Sequence, residues 1–267
     1  MIKTHKKEEL EKQILNRLSG IARNAAEMAF ADEEIQALQE YANVVSIKRL
    51  GINDHGPVHM RIAAMNALQM LELLVSGGVR LNLETESGLS SDDSRIAVFL
   101  GAMLHDVGMG VERDGHEEYG LMLALPAVNR ILEALLPDSL WRRVAIRATV
   151  MEAIAGHMTT RRVTSLEAGL VLIGDGCDME NGRSRIPKKL SIGPKVGDIH
   201  RYSAAAVERV VIEKGASRPI RIQITMSENA GFFQVEQVLF PKIKASPVMP
   251  HIELFAESRG GSLLQYL

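Results

Sequence analysis

An imidazole and a carboxylate stand side by side at His105 and Asp106, at the end of an apolar helical pattern. Adjacent residues of these types can lean toward one point and hold a cation from two sides. The doublet equally suits a structural role, a helix C-terminal histidine paired with a carboxylate. The remaining histidines supply the context. His55 and His59 are four residues apart, a spacing that puts two imidazoles on one helix face. His116 follows Gly115 where a helical pattern opens, and His157 follows Gly156 where another stops. Each alone fits a solvated or core histidine. Together, at helix mouths and glycine-flanked turns where functional groups gather, they point to a shared site. Imidazole nitrogen and carboxylate oxygen without sulfur suit Mn2+, Fe2+, Zn2+, Co2+ or Mg2+, and a first-row transition metal is the expectation.

Such residues need rigid elements to hold them. Leu10, Ile14, Leu18 and Ile21 recur at helical spacing, so the chain opens with an amphipathic helix. A second pattern runs from Ile35 to Val45 and breaks at the turn chemistry of residues 51–57. Pro57 suits the first turn of a helix that carries His59 and stops at Gly77 and Gly78. Leu81 to Ser94 is polar and reads as a surface loop. Ser90, Ser91, Asp92 and Asp93 then cap a helix with Ile96, Phe99, Leu100, Met103, Leu104 and Val107 on its apolar face, ended by Gly108 and Gly110. Helical patterns follow over Glu117 to Leu136, Leu140 to Ile154, Leu166 to Met179 and Tyr202 to Lys214.

The last fifty or so residues change character. Ile220, Ile222, Ile224 and Met226 alternate with polar residues, the period of a half-buried strand. A short helix through Phe233 to Leu239, ended by Pro241, and a strand over His251 to Phe255 follow. The expected architecture is mainly α, a helical bundle with a small C-terminal α/β appendage. N-terminal helices (1–50) pack on a metal-binding helical domain (51–216), followed by an α/β subdomain (217–267).

Bulk properties narrow the function. With 46% apolar and 24% charged residues in 267, the chain can bury a sizeable core. A net charge of −2 leaves no basic reservoir for tracking a phosphate backbone, so nucleic acid is not the expected partner. The lone cysteine, Cys177, permits neither an internal disulfide nor a thiolate zinc site, and reads as a small buried residue. A reducing cytoplasm fits that usage best. The charged N-terminus has no secretory pattern, and no apolar run approaches the roughly 20 residues a membrane span needs.

The order of these residues resembles the HD superfamily of metal-dependent phosphohydrolases, whose pattern is a histidine, a His-Asp doublet and a distant aspartate on a helical bundle. His59, His105, Asp106 and Asp175 fill those positions across roughly residues 50 to 190. The chain is also similar to a group of archaeal and bacterial proteins known by their HD domain. Members with two metals add histidines between the doublet and the last aspartate, where His116 and His157 lie. The resemblance thus implies a dinuclear site, with His55 as a further candidate ligand and Asp106 as bridge. It also implies hydrolysis of a nucleotide or other small phosphate ester by metal-activated water, with His105 and Asp106 at the catalytic centre.

Arg183, Arg185, Lys188 and Lys189 form a basic cluster soon after Asp175 that suits phosphate oxygens, or equally a solvated basic turn. Asp178 can pair with one of these arginines or join the metal shell. Two features depart from the family. No lysine follows the doublet, which reads His105-Asp106-Val107-Gly108-Met109-Gly110, and Met158-Thr159-Thr160 stands where the cyclic-dinucleotide branch has Gly-Tyr-Pro. A non-catalytic nucleotide- or metal-sensing module with a regulatory or dimerising C-terminal piece is the rival reading. A homodimer is expected, and an exposed apolar strand edge near Ile220 to Met226 would suggest pairing with a second chain.

Overall fold

A computed structural model describes residues 5–180 and 199–267. Mainly α-helical, the chain forms a bundle with a small C-terminal sheet. The helices are α1 (His5–Arg17), α2 (Gly20–Ala31), α3 (Glu33–Val44), α4 (Pro57–Ser76), α5 (Asn82–Ser87), α6 (Ser91–Leu104), α7 (His116–Leu135), α8 (Leu140–Gly156) and α9 (Leu166–Gly176).

Helix α6 is the axis of the bundle. Every residue from Ile96 to Leu104 is buried, as expected for a helix wrapped by neighbours on all sides. Its start is the expected capping box: Ser90 and Asp93 satisfy each other's backbone donors. Small residues let the surrounding helices approach closely. A Cβ on Gly174 of α9 would lie 2.8 Å from the Ala63 carbonyl of α4, and one on Gly101 of α6 would lie 2.9 Å from Ala153 of α8. These crossings draw the ends of α4, α6, α8 and α9 together at one end of the bundle.

The N-terminal helices are clipped on by Arg61, a fully buried residue of α4. Its guanidinium donates to Glu11 of α1 at 2.9 Å, to Gln39 of α3 at 2.8 Å and to the Pro57 carbonyl at 2.9 Å. Gln39 in turn donates to the Met103 carbonyl of α6 at 2.7 Å, so α1, α3, α4 and α6 share one polar network inside the core.

Several elements differ from their sequence reading. The opening helical pattern is two helices, because Gly20 turns the chain at φ +51° between α1 and α2. Residues expected as a surface loop include α5, held from a distance: buried Glu167 of α9 accepts from the Leu83 amide at 2.9 Å and the Ser94 hydroxyl at 2.8 Å. Helix α6 stops at Leu104, and Gly108 and Gly110 belong to a separate 3-10 turn, Val107–Gly110.

The stretch read as a helix to Lys214 divides into α10 (Ile199–Ala206) and strand β1 (Val207–Lys214), whose β-branched residues pair with β2 (Ile220–Met226). The sheet therefore begins at Val207, ahead of the expected start near Ser217. Pro241 does not end the following helix. Helix α11 spans 232–245, relaxing through a π-turn at Val235–Leu239 before Pro241 starts its last segment in the position proline tolerates. Strand β3 is Ile252–Ser258 and β4 is Leu264–Gln265.

The sheet order is β1-β2-β3-β4, with β2 and β3 parallel and the outer pairs antiparallel. Ile220, Ile222 and Ile224 stand opposite Ile252, Leu254 and Ala256, which builds one apolar face. Strand β2 is interior, paired on both sides, so it offers no edge to a second chain.

Candidate metal centre

Apart from His55, which lies in the loop before α4, the candidate ligands within the described residues sit at or beside helix ends. His59 is in the first turn of α4, just after Pro57, and its entry is fixed by Asp54, which accepts from the Gly56 amide at 2.8 Å. His105 is the C-cap of α6, and Asp106 follows it with φ −102° and ψ 4°, the bridge conformation often found in active sites. His116 opens α7, His157 caps the end of α8, and Asp175 is in the last turn of α9. His105, Asp106, His116 and His157 are 4% exposed or less.

Two donor groups result, His59/His105/Asp106 and Asp106/His116/His157. Asp106 serves both through different oxygens. Its Oδ2 lies 3.2 Å from His59 Nε2 and 3.4 Å from His105 Nε2, and its Oδ1 lies 3.2 Å from His116 Nε2 and 3.4 Å from His157 Nε2. Asp175 Oδ1 joins the first group, 3.2 Å from His59 Nε2.

The far side of each ring explains its orientation. Nδ1 of His105, His116 and His157 lies 2.7–2.8 Å from the carbonyl three residues earlier, Ala102, Arg113 and Ile154 respectively. His59 Nδ1 lies 2.6 Å from Asp178 Oδ2. Acceptors at these positions put the ring proton on Nδ1 and leave Nε2 as a bare donor facing inward. Yet the Nε2 atoms of His59 and His105 are 3.1 Å apart, and those of His116 and His157 are 2.9 Å apart. Lone pairs this close, beside two carboxylates and out of water, need a cation among them. The donor set fits divalent metal.

Without metal, a proton partly fills that role. Burial disfavours the charged His105 ring, but facing Asp106 and Asp175 outweigh it and push the pKa up to about 9. Burial also opposes charge on Asp106, yet His105 and His55 hold its carboxyl well below the usual range. For Asp175 the same burial is outweighed by Lys242 and by hydrogen bonds from His105 and His59. Burial, with the like charges of His105 and His116, pushes His157 down and keeps it neutral for coordination.

His55 lies outside both donor groups. It lines the cavity beside His59, ring centroids 5.8 Å apart, with Nδ1 2.7 Å from the Asn53 carbonyl. Cys177 is buried, and burial beside Asp175 and Asp178 pushes its thiol pKa up, in keeping with an inert residue. Arg183, Arg185, Lys188 and Lys189 lie outside the described residues. Asp178, read from sequence as an arginine partner or a ligand, holds the His59 ring, and the arginines of that reading lie outside the described residues. Lys242 carried no sequence signal. It arrives from α11, and its ammonium donates to Asp175 Oδ2 and, at 2.8 Å, to the His157 carbonyl.

The centre opens into a cavity of about 350 Å3. Asp106, His116 and Asp175 form part of its wall together with Asn53, Arg113 and Lys242. That volume suits a small molecule.

Over 242 residues the chain is 36% identical to the uncharacterized protein MJ1020 of Methanocaldococcus jannaschii, with 91% of each chain covered. The chain belongs to the family of that archaeal protein. No family model and no solved structure matches it. Among the described residues, no helix is long and apolar enough to cross a membrane.

Proposed function

We propose that this protein is an HD-type metal-dependent phosphohydrolase acting on a nucleotide or other small phosphate ester. His59, His105, Asp106 and Asp175 hold one divalent ion, and Asp106, His116 and His157 hold the other. Two such ions supply Lewis acidity at the phosphoryl oxygens and an activated water as nucleophile, so no serine or cysteine nucleophile is required. Asp178 and the three backbone carbonyls keep the imidazoles in the coordinating tautomer. The observation that carries this reading is the split of Asp106, one oxygen to each donor group.

Metal uptake should be pH-linked, because His105 holds its proton up to about 9 in the metal-free protein. That proton must leave before Nε2 can coordinate, so apparent affinity rises with pH until about 9. Below that point the expected slope is roughly tenfold per pH unit for each proton released. Titrating Mn2+ into stripped protein at several pH values measures it.

The same preparation, reloaded with Mn2+, is expected to hydrolyse a generic phosphomonoester or phosphodiester, and a chelator should abolish the turnover. Protein that takes up metal yet leaves every phosphoester intact would sink the enzyme reading. Tight nucleotide binding without turnover would favour a sensing module instead.

A further inference from the structure

We propose that the C-terminal unit completes the site by delivering Lys242 as the ligand for the substrate's anionic group. The inference rests on the phosphohydrolase reading and adds a residue outside the metal-binding helices. Lys242 stands on α11, between the second and third strands of the sheet, 67 positions from Asp175. It is 8% exposed and lines the cavity over the donor groups.

Its position is built rather than incidental. A Cβ on Gly176 would lie 3.0 Å from the Lys242 side chain and 3.1 Å from Leu239, so α11 is seated against the end of α9 where Asp175 lies. Asp175 faces two ways: Oδ1 toward His59, Oδ2 toward the ammonium. The ammonium is thereby held one carboxylate away from the first donor group. Of its three N–H bonds, one goes to Asp175 and one to the His157 carbonyl. Among the described residues the third has no acceptor, which leaves it for a guest in the cavity. Arg113, exposed on the same wall, supplies a second cation.

Asp175 balances the Lys242 charge while no substrate is present, which makes a buried ammonium tolerable. An incoming phosphate oxygen then meets a fixed N–H donor beside the metals, with little rearrangement required. Asn53 and Gln237 line the same cavity, so the rest of the substrate faces amide groups able both to donate and to accept hydrogen bonds. The substrate class that fits is a small phosphate ester with a polar, hydrogen-bonding body.

The test measures binding of inorganic phosphate and metal content, on the full-length Mn2+-loaded protein, for wild type, Lys242→Met and Lys242→Arg. The expected result is unchanged metal content, phosphate binding weakened about tenfold or more in Lys242→Met, and partial recovery in Lys242→Arg. Unchanged phosphate affinity in Lys242→Met overturns this inference and leaves the phosphohydrolase reading standing. Metal loss in Lys242→Met that accounts for the weaker phosphate binding also overturns it, because Lys242 would then serve only to position Asp175. Wild type that holds both metals and binds no phosphate overturns the phosphohydrolase reading and this inference together.

Discussion

Asp106→Ala is expected to leave the protein without either metal ion, whereas His116→Ala or His157→Ala should cost only the second. The contrast follows from the two oxygens of Asp106, each facing a different pair of imidazoles. Losing the metals removes several kcal/mol of transition-state stabilisation. At about 1.4 kcal/mol per factor of ten, hydrolysis should fall on the order of 10^3-fold or more. Elemental analysis of the purified variants reads the metal count directly, and circular dichroism separates metal loss from unfolding. Two full equivalents retained in Asp106→Ala would show that the carboxylate bridges nothing.

Gly108→Ala should be the most damaging small substitution near the centre. Gly108 lies in the 3-10 turn after the doublet, packed on the first turn of α7. A Cβ there would lie 1.9 Å from the His116 carbonyl oxygen and 2.5 Å from the Gly120 amide nitrogen. Both are backbone atoms, which cannot swing aside as a side chain would. The expected destabilisation is about 3 kcal/mol or more. Relief requires α7 to move away from the turn, carrying His116 from Asp106, so the second ion should be lost before the first. Gly110→Ala is the matched control. Its Cβ would meet the edge of the Tyr41 ring at 3.3 Å and the Ala42 backbone at an ordinary 3.8 Å, and a cost of roughly 1 kcal/mol or less is expected. Urea denaturation with metal titration checks both. Equal stability of the two variants, with two ions bound in each, would contradict this role for Gly108.

The donor residues were legible in sequence because helix ends announce themselves. Pro57, Gly115 and Gly156 mark where helices start or stop, and His59, His116 and His157 stand beside those marks. Four of the helices that carry the donors, α4, α7, α8 and α9, run close to the expected bounds.

What sequence could not show depends on contacts between distant residues. Helix α5 exists because Glu167, more than eighty positions away, satisfies its first amides. Val207 to Lys214 carries too little period-two alternation to be told from a helix, and becomes a strand by pairing with β2. The role of Asp178 depends on a bond to His59 across 119 positions. Lys242 looks like any lysine on an amphipathic segment until the C-terminal unit folds against α9.

The most direct test of the central claim is anomalous scattering from crystals of the Mn2+-loaded protein. Two peaks are predicted about 3.5–4 Å apart, one beside His59, His105 and Asp175 and one beside His116 and His157, with Asp106 between them. A single peak, or none within this cluster at full metal loading, would contradict the dinuclear centre and the hydrolytic chemistry built on it.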